Sequence, residues 1–267
     1  KGRLRYIDFN QGVDARLFNT EIVALLTQIP VRPLRIAFDD VKTEKSYTDA
    51  LKMSVSYGLK DFSNYLLYNF KDKPQDLYHR MRINVDLCEE LNVNIYSFPM
   101  KYHPIRDEHS HDRDYIGEHW NRKYIRAVQA ILNATKGKIG RGVSFFEKAF
   151  GKNIEEYLKL LEMPETMIIY RYFFEWLDLE DARNIAKSIW GNDGICESSV
   201  SSWWKKFNEC QLLLPHSEWQ ELLDFIHKSD FENSCKVQHP LAQQLLKFYT
   251  NHRKAIIEKG SELYKLK

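Results

Sequence analysis

The sequence predicts an α/β fold: a partial (β/α) barrel of about four parallel strands over residues 1–106, then an all-α region over 107–267. Three observations lead there. Apolar, β-rich runs open near Tyr6, Leu34, Phe62 and Val93, spaced 28, 28 and 31 residues apart. Three of the four are followed by helical periodicity, and a strand, a crossover helix and the next parallel strand together need about 30 residues. After Pro104 the strand-like runs cease and only helical patterns follow. Four βα units make half a barrel, so the expectation is a back half, with the front half supplied from upstream of Lys1 or by a second copy at the open sheet edge.

The elements follow in order. The first strand is Tyr6 to Phe9, leading into Asn10-Gln11-Gly12-Val13-Asp14-Ala15-Arg16. Asn19 or Thr20 is placed to cap a helix that carries Glu21 in its first turn and Ile22, Val23, Leu25, Leu26 and Ile29 on one face. Pro30 and Pro33 end it and launch the second strand, Leu34 to Phe38, which runs into Asp39-Asp40. The second helix, near Glu44 to Tyr57, stops at Gly58, a residue suited to the left-handed turn after a helix. The third strand is Phe62 to Tyr68. Pro74 suits the first turn of the third helix, whose buried side is Leu77, Met81, Leu87, Cys88 and Leu91. The fourth strand is Val93 to Phe98, followed by Pro99-Met100-Lys101-Tyr102-His103-Pro104. Near-continuous apolar strands alternating with amphipathic helices describe a parallel sheet covered by helices.

Beyond Pro104 the run Arg106 to His119 is densely charged and reads as a solvated connector. His109, His111 and His119 of this run and its Asp residues, with His103 just before it, are too loosely patterned to predict a metal site. Trp120 to Leu132 reads as a helix, followed by short helices at Phe145 to Phe150 and Ile154 to Leu161. Glu165 to Leu177 is apolar nearly all round and far too short for a bilayer span, so it reads as a core helix. Leu179 to Ile189, Ser202 to Leu213, Ser217 to His227 and Pro240 to Glu258 complete the helical region, with Ser217 and Gln220 spaced as a capping box.

Composition narrows the function classes. Hydrophobic residues make up 43% of the chain and aromatics 13%, which supports a packed core and excludes a disordered chain. The net charge of +2 gives no global field that would select nucleic acid or an anionic membrane. No run predicts a membrane span or signal peptide, and the four scattered cysteines do not form a disulfide framework, so the expected setting is the reducing cytoplasm. One local asymmetry stands out: residues 121–152 hold eight Lys or Arg against one acid, Glu147. Lys136, Lys138 and Arg141 sit there among three glycines, open to reading as a contact for RNA or another polyanion, as an anionic-substrate clamp, or as a soluble connector. Polar residues also cluster after each strand, the rim at which α/β sheets bind ligands.

Several of these segments resemble the radical S-adenosylmethionine (SAM) superfamily. Phe9-Asn10-Gln11-Gly12-Val13-Asp14-Ala15-Arg16 resembles the fourth barrel strand of those enzymes, and Leu34-Arg35-Ile36-Ala37-Phe38-Asp39 the fifth. Tyr65 to Asp76 is similar to the sixth strand and its loop, and Tyr96 to Pro104 to a late strand with its exit loop, so the match covers about residues 3–106 in order. The resemblance implies SAM and a [4Fe–4S] cluster as cofactors of a full-length iron–sulfur oxidoreductase. It places Asn10, Gln11, Asp14 and Arg16 toward the ribose or methionine part of SAM, and Asp39 and Asn69 near the adenosyl or substrate end. Lys101, Tyr102 and His103 would face the substrate. The family's Cys-x3-Cys-x2-Cys is absent: no two cysteines lie closer than Cys196 and Cys210. One loop must wrap the cluster, so this chain by itself is expected to hold neither cofactor. The reading that results is the C-terminal part of such an enzyme, set against a non-catalytic module that binds a polyanion through residues 121–152. Cys196, Cys210 and Cys235 are a weaker candidate for an auxiliary cluster.

Overall fold

A computed structural model describes residues 5–106, 110, 112–137, 139–171, 197–229, 231 and 237–250. The chain divides into two compact units, one of residues 1–120 and 137–154, the other of residues 121–136 and 155–267. The basic stretch 121–152 is therefore shared between them.

The first unit is α/β. Its sheet has three parallel strands in the order β1 (Leu34–Arg35), β2 (Asp61–Tyr68) and β3 (Asn94–Lys101), with Leu34 beside Phe62 and Tyr65 beside Phe98. Right behind each predicted capping signal comes its helix. Asn19 accepts the Ile22 amide at 2.9 Å and opens α1 (Thr20–Thr27). Helix α2 (Glu44–Ser56) runs out before Gly58, which takes φ +93°. Pro74 begins α3 (Pro74–Glu90), and the Asp76 carboxylate reaches back to the Lys73 amide at 2.8 Å.

The first of the four expected strands, Tyr6–Phe9, is not part of this ladder. Its stretch of chain makes two isolated parallel bridges, Ile7 to Val31 and, after it, Val13 to Ile36, flanking a tight turn in which the Gly12 amide donates to the Phe9 carbonyl at 2.7 Å. Gly12 has φ +79° and its α-carbon faces the Ala37 backbone, so the turn takes Asn10 and Gln11 out of the strand line. Tyr6, Ile7 and Phe9 stay exposed. An unburied run lacks the side-chain packing that holds a full strand in register.

The helices cover one face of the sheet. Leu34, Ile36, Phe38, Phe62, Leu66, Tyr68 and Ile95 are buried there with Leu77, Met81 and Val85 of α3 and Leu51 of α2. A polar network crosses this apolar layer. Asn64 donates to the Tyr47 hydroxyl, Tyr47 donates to Asn84, and Asn84 donates to Ser97, each at 2.7 Å and all buried. The Phe38 and Tyr47 rings stack at 4.2 Å beside it. A helix α5 (Val143–Phe150) packs on α3 through Phe146 against Tyr78, and an Arg82–Glu147 ion pair at 2.8 Å closes that contact. The opposite face is uncovered among the described residues: Tyr65, Leu67 and Phe98 are half-buried, and Tyr96 and Met100 are exposed.

The second unit is helical, with α4 (Arg122–Ala134), α6 (Ile154–Glu162), α7 (Glu165–Arg171), α8 (Glu197–Leu213), α9 (His216–Lys228) and α10 (Pro240–Thr250). Helix α4 meets α7 and α9, and α8 meets α10. Trp203, Tyr157, Leu161 and Ile226 fill its core. Lys123 is wholly buried and donates to the Met163 carbonyl at 2.6 Å, and burial pulls its amine below the usual range. Tyr124 and His227 both bond to Glu162, and Tyr249 links the Trp203 indole to the Glu162 carbonyl. The expected helix at Leu179–Ile189, together with Cys196 and Cys235, lies outside the described residues. No described helix is long and apolar enough to cross a membrane.

The Asn64–Tyr47–Asn84–Ser97 network gives a direct test of the covered face. Asn84→Ala leaves the Tyr47 hydroxyl without its acceptor and the Ser97 hydroxyl without its donor in the apolar layer. Urea denaturation should show a loss of about 2–4 kcal/mol. A loss below about 0.5 kcal/mol, typical of a surface change, would mean the network does not hold the layer.

Candidate functional site at the carboxyl edge of the sheet

Strand alternation sends every second side chain of the sheet to the uncovered face. Tyr65 and Leu67 of β2 and Met100 of β3 share that face, Leu67 and Met100 as register partners. Ala37 and Asp39 follow β1 on the same side. With Asn10 and Gln11 from the Gly12 turn, these residues line an open cleft of about 380 Å³. The Tyr65 hydroxyl donates to Asn10 at 3.4 Å, which joins the turn to the sheet. Arg35 lies over the Tyr65 ring at 5.2 Å, its fork held by Asp8 at 2.7 and 2.9 Å. That pairing keeps the Asp8 carboxyl below its usual range, the hydrogen bond from Arg35 being the main cause.

Behind the cleft, α3 places Arg80 against the ends of two strands. Its side chain is fully buried and donates to the Phe38 carbonyl at 3.2 Å, the Leu67 carbonyl at 2.8 Å and the Asp72 carboxylate at 3.1 Å. Burial is the leading influence on the groups around it. It lowers the Arg80 guanidinium and raises the Asp72 and Asp39 carboxyls, against the attraction between them. Asp39 differs from Asp72 in keeping its side chain open to the cleft. Contact with water moderates the lift on Asp39.

Of the residues the sequence singled out, Asn10, Gln11 and Asp39 come together in the cleft. The others are placed elsewhere. Asp14 caps the short helical turn after it and pairs with Arg16 at 2.6 Å, the hydrogen bond that takes its carboxyl down to about 2. Asn69, at φ 71°, is buried and clamps the returning chain: its amide donates to the Tyr115 carbonyl at 3.0 Å and its oxygen accepts the Gly117 amide at 2.8 Å. A side chain at Gly117 would meet the Phe70 carbonyl at 2.5 Å, so only glycine allows that approach. Lys101 alternates away from Met100 and donates to the Arg113 carbonyl at 2.9 Å. Tyr102 packs against Phe70 and Tyr115, and His103 is exposed. Arg141 bonds Asn92 at 2.8 Å and pairs with Glu89. Lys136 is exposed at φ 60°, and Lys138 lies outside the described residues. The sequence reading took Ala37, Tyr65, Leu67 and Met100 for strand core or loop, although the period of two within Tyr65–Leu67 already marks one shared face.

Among the described residues no group of three or more His, Cys, Asp or Glu is arranged to hold a metal ion. The described cysteines, Cys88 and Cys210, are both buried, one in each unit. Burial raises the Cys88 thiol and pushes the Cys210 thiol up to about 11. They offer no set of three thiolates, so these residues do not fit a [4Fe–4S] cluster. Comparison of the chain with protein-family models, curated proteins and solved structures found no match.

The raised Asp72 carboxyl predicts a pH signature. A folded-state pKa above the unfolded value means the fold holds this proton more tightly. Its stabilisation is therefore full below the ordinary aspartate range and is lost as pH rises through the raised value. The stability advantage of the wild type over Asp72→Asn should accordingly be larger at about pH 4 than at about pH 7. Denaturation curves whose difference shrinks on acidification would contradict this.

Proposed function

We propose that the carboxyl-edge cleft is a small-ligand site, and that the first unit is part of the wall of a (β/α) barrel. The observation that carries this reading is the convergence of Asn10, Gln11, Asp39, Tyr65, Leu67 and Met100, drawn from four successive chain segments, in one cleft on the uncovered face. Its size and mix of apolar walls with a few polar groups match small-molecule sites in general. Parallel sheets normally have both faces covered. A sheet with helices on one side only corresponds to a barrel wall seen from inside, with its open edge along Tyr6–Phe9 available to further strands from the same polypeptide or a second copy.

The radical SAM resemblance is the specific form of this proposal. Asn10 and Gln11 would hold polar groups of SAM and Asp39 its ribose or amine, against the apolar wall of Leu67 and Met100. SAM supplies radical chemistry only with an iron–sulfur cluster, which segments outside the described residues would have to provide. This chain's contribution is binding and orientation.

The test is ¹⁵N NMR of the full chain titrated with SAM and with S-adenosylhomocysteine. The expected result is saturable shifts confined to the Gly12 turn, Ala37 to Asp39 and Leu67 to Met100, weakened about tenfold or more by Gln11→Ala. Shifts that map elsewhere, or none at millimolar ligand, would refute the SAM assignment.

A further inference from the structure

Charge around the cleft is one-sided. Asp39 is its one acidic lining residue, and no basic side chain lines it. The nearby cations are directed elsewhere. Arg35, on the same face, pairs with Asp8 through Nε and Nη2 and lies over the Tyr65 ring, its Nη1 buried without a hydrogen-bond partner. Lys101 projects from the other side of β3 to a backbone carbonyl. Lys71 sits over the Phe70 ring at 5.5 Å. Arg80 is sealed behind the strands, where Asp39, Asp40, Asp72 and Asp76 all act on its charge. Four carboxylates thus answer one guanidinium at this edge, and Asp39 is the one of them that lines the cleft.

A ligand anion placed at Asp39 meets a carboxylate whose balancing guanidinium, Arg80, is sealed behind the strands, whereas a ligand cation gains attraction in a partly desolvated setting. The Tyr65 ring and the Leu67 and Met100 side chains suit an apolar body. We infer that the cleft takes an organic ammonium, with a protonated amine at Asp39 and an apolar or aromatic body against Tyr65, Leu67 and Met100. This rests on the cleft being a ligand site, as proposed above. It differs from the anionic-substrate clamp that Lys136, Lys138 and Arg141 suggest in the sequence.

Three probes of one shape and different charge test it: phenethylamine, 2-phenylethanol and phenylacetate. Each is titrated into the ¹⁵N-labelled full chain at neutral pH and followed at the Gly12, Ala37, Leu67 and Met100 amides. Phenethylamine should bind about tenfold or more tightly than the alcohol, with the acid weakest. In Asp39→Asn, which keeps the shape and a hydrogen-bond acceptor, that preference should collapse to within about twofold. Circular dichroism on the variant checks that the fold is retained. Binding of the alcohol or the acid equal to or tighter than the amine overturns the ammonium assignment and leaves the ligand site standing. Absence of cleft shifts with all three probes overturns the ligand site itself, and the assignment with it.

Discussion

The carboxyl end of the sheet depends on a guanidinium that has no contact with solvent. Arg80 ties α3 to the carbonyl of Phe38, beyond the end of β1, and to that of Leu67, near the end of β2. Asp72 completes the set from the loop between β2 and α3. Burying a charged pair is expensive and adds little net stability, but removing one partner leaves an uncompensated charge and costs about 3–5 kcal/mol. The arrangement is therefore better understood as fixing position than as adding stability. It holds the residues after each strand at one height, which puts Ala37 and Asp39 beside Leu67 and Met100.

That fixed edge gives the uncovered face its significance. The covered face is sealed twice, by apolar packing and by the Asn64–Tyr47–Asn84–Ser97 network, which allows only one seating of α2 and α3. On the open face the Gly12 turn interrupts what would have been a fourth strand. A regular strand there would send Asn10 and Gln11 to opposite faces, because side chains alternate. The turn instead brings both into one cleft. Pairing lost at the edge and polar groups gained at the cleft are two consequences of the same left-handed glycine.

Much of the first unit was legible from residue pattern. The helix starts at Asn19 and Pro74 and the stop before Gly58 follow from local backbone chemistry, which needs no tertiary information. The runs at Leu34, Phe62 and Val93 are buried, so their hydrophobicity reports the sheet correctly. The run at Tyr6 has the same composition and remains exposed, because composition does not say whether a partner lies beside it. Arg80 and Asn84 were illegible for the opposite reason. A polar residue on an amphipathic helix is normally solvated, and nothing in a single sequence distinguishes one that turns inward to meet orphaned groups. Asn69 looked like a ligand residue because it follows a strand. Its amide is occupied by Tyr115 and Gly117, a pairing 46 and 48 residues distant that no local pattern encodes.

The basic stretch shows the same limit for charge. Counting Lys and Arg along 121–152 treats them as one surface, yet the chain passes between the two units within that span. Lys123 is wholly buried against the Met163 carbonyl, with Glu165 3.8 Å away, and Arg141 is committed to Asn92 and Glu89. A lysine spent in a core contributes nothing to a field outside it, and its lowered amine reflects the cost of its burial. The cleft is the reverse case. Its sequence neighbourhood is rich in lysine, and its lining holds a single carboxylate, because alternation and pairing turn the cations away. The charge a ligand would meet here follows from which side chains reach the cleft, and the fold settles that one residue at a time.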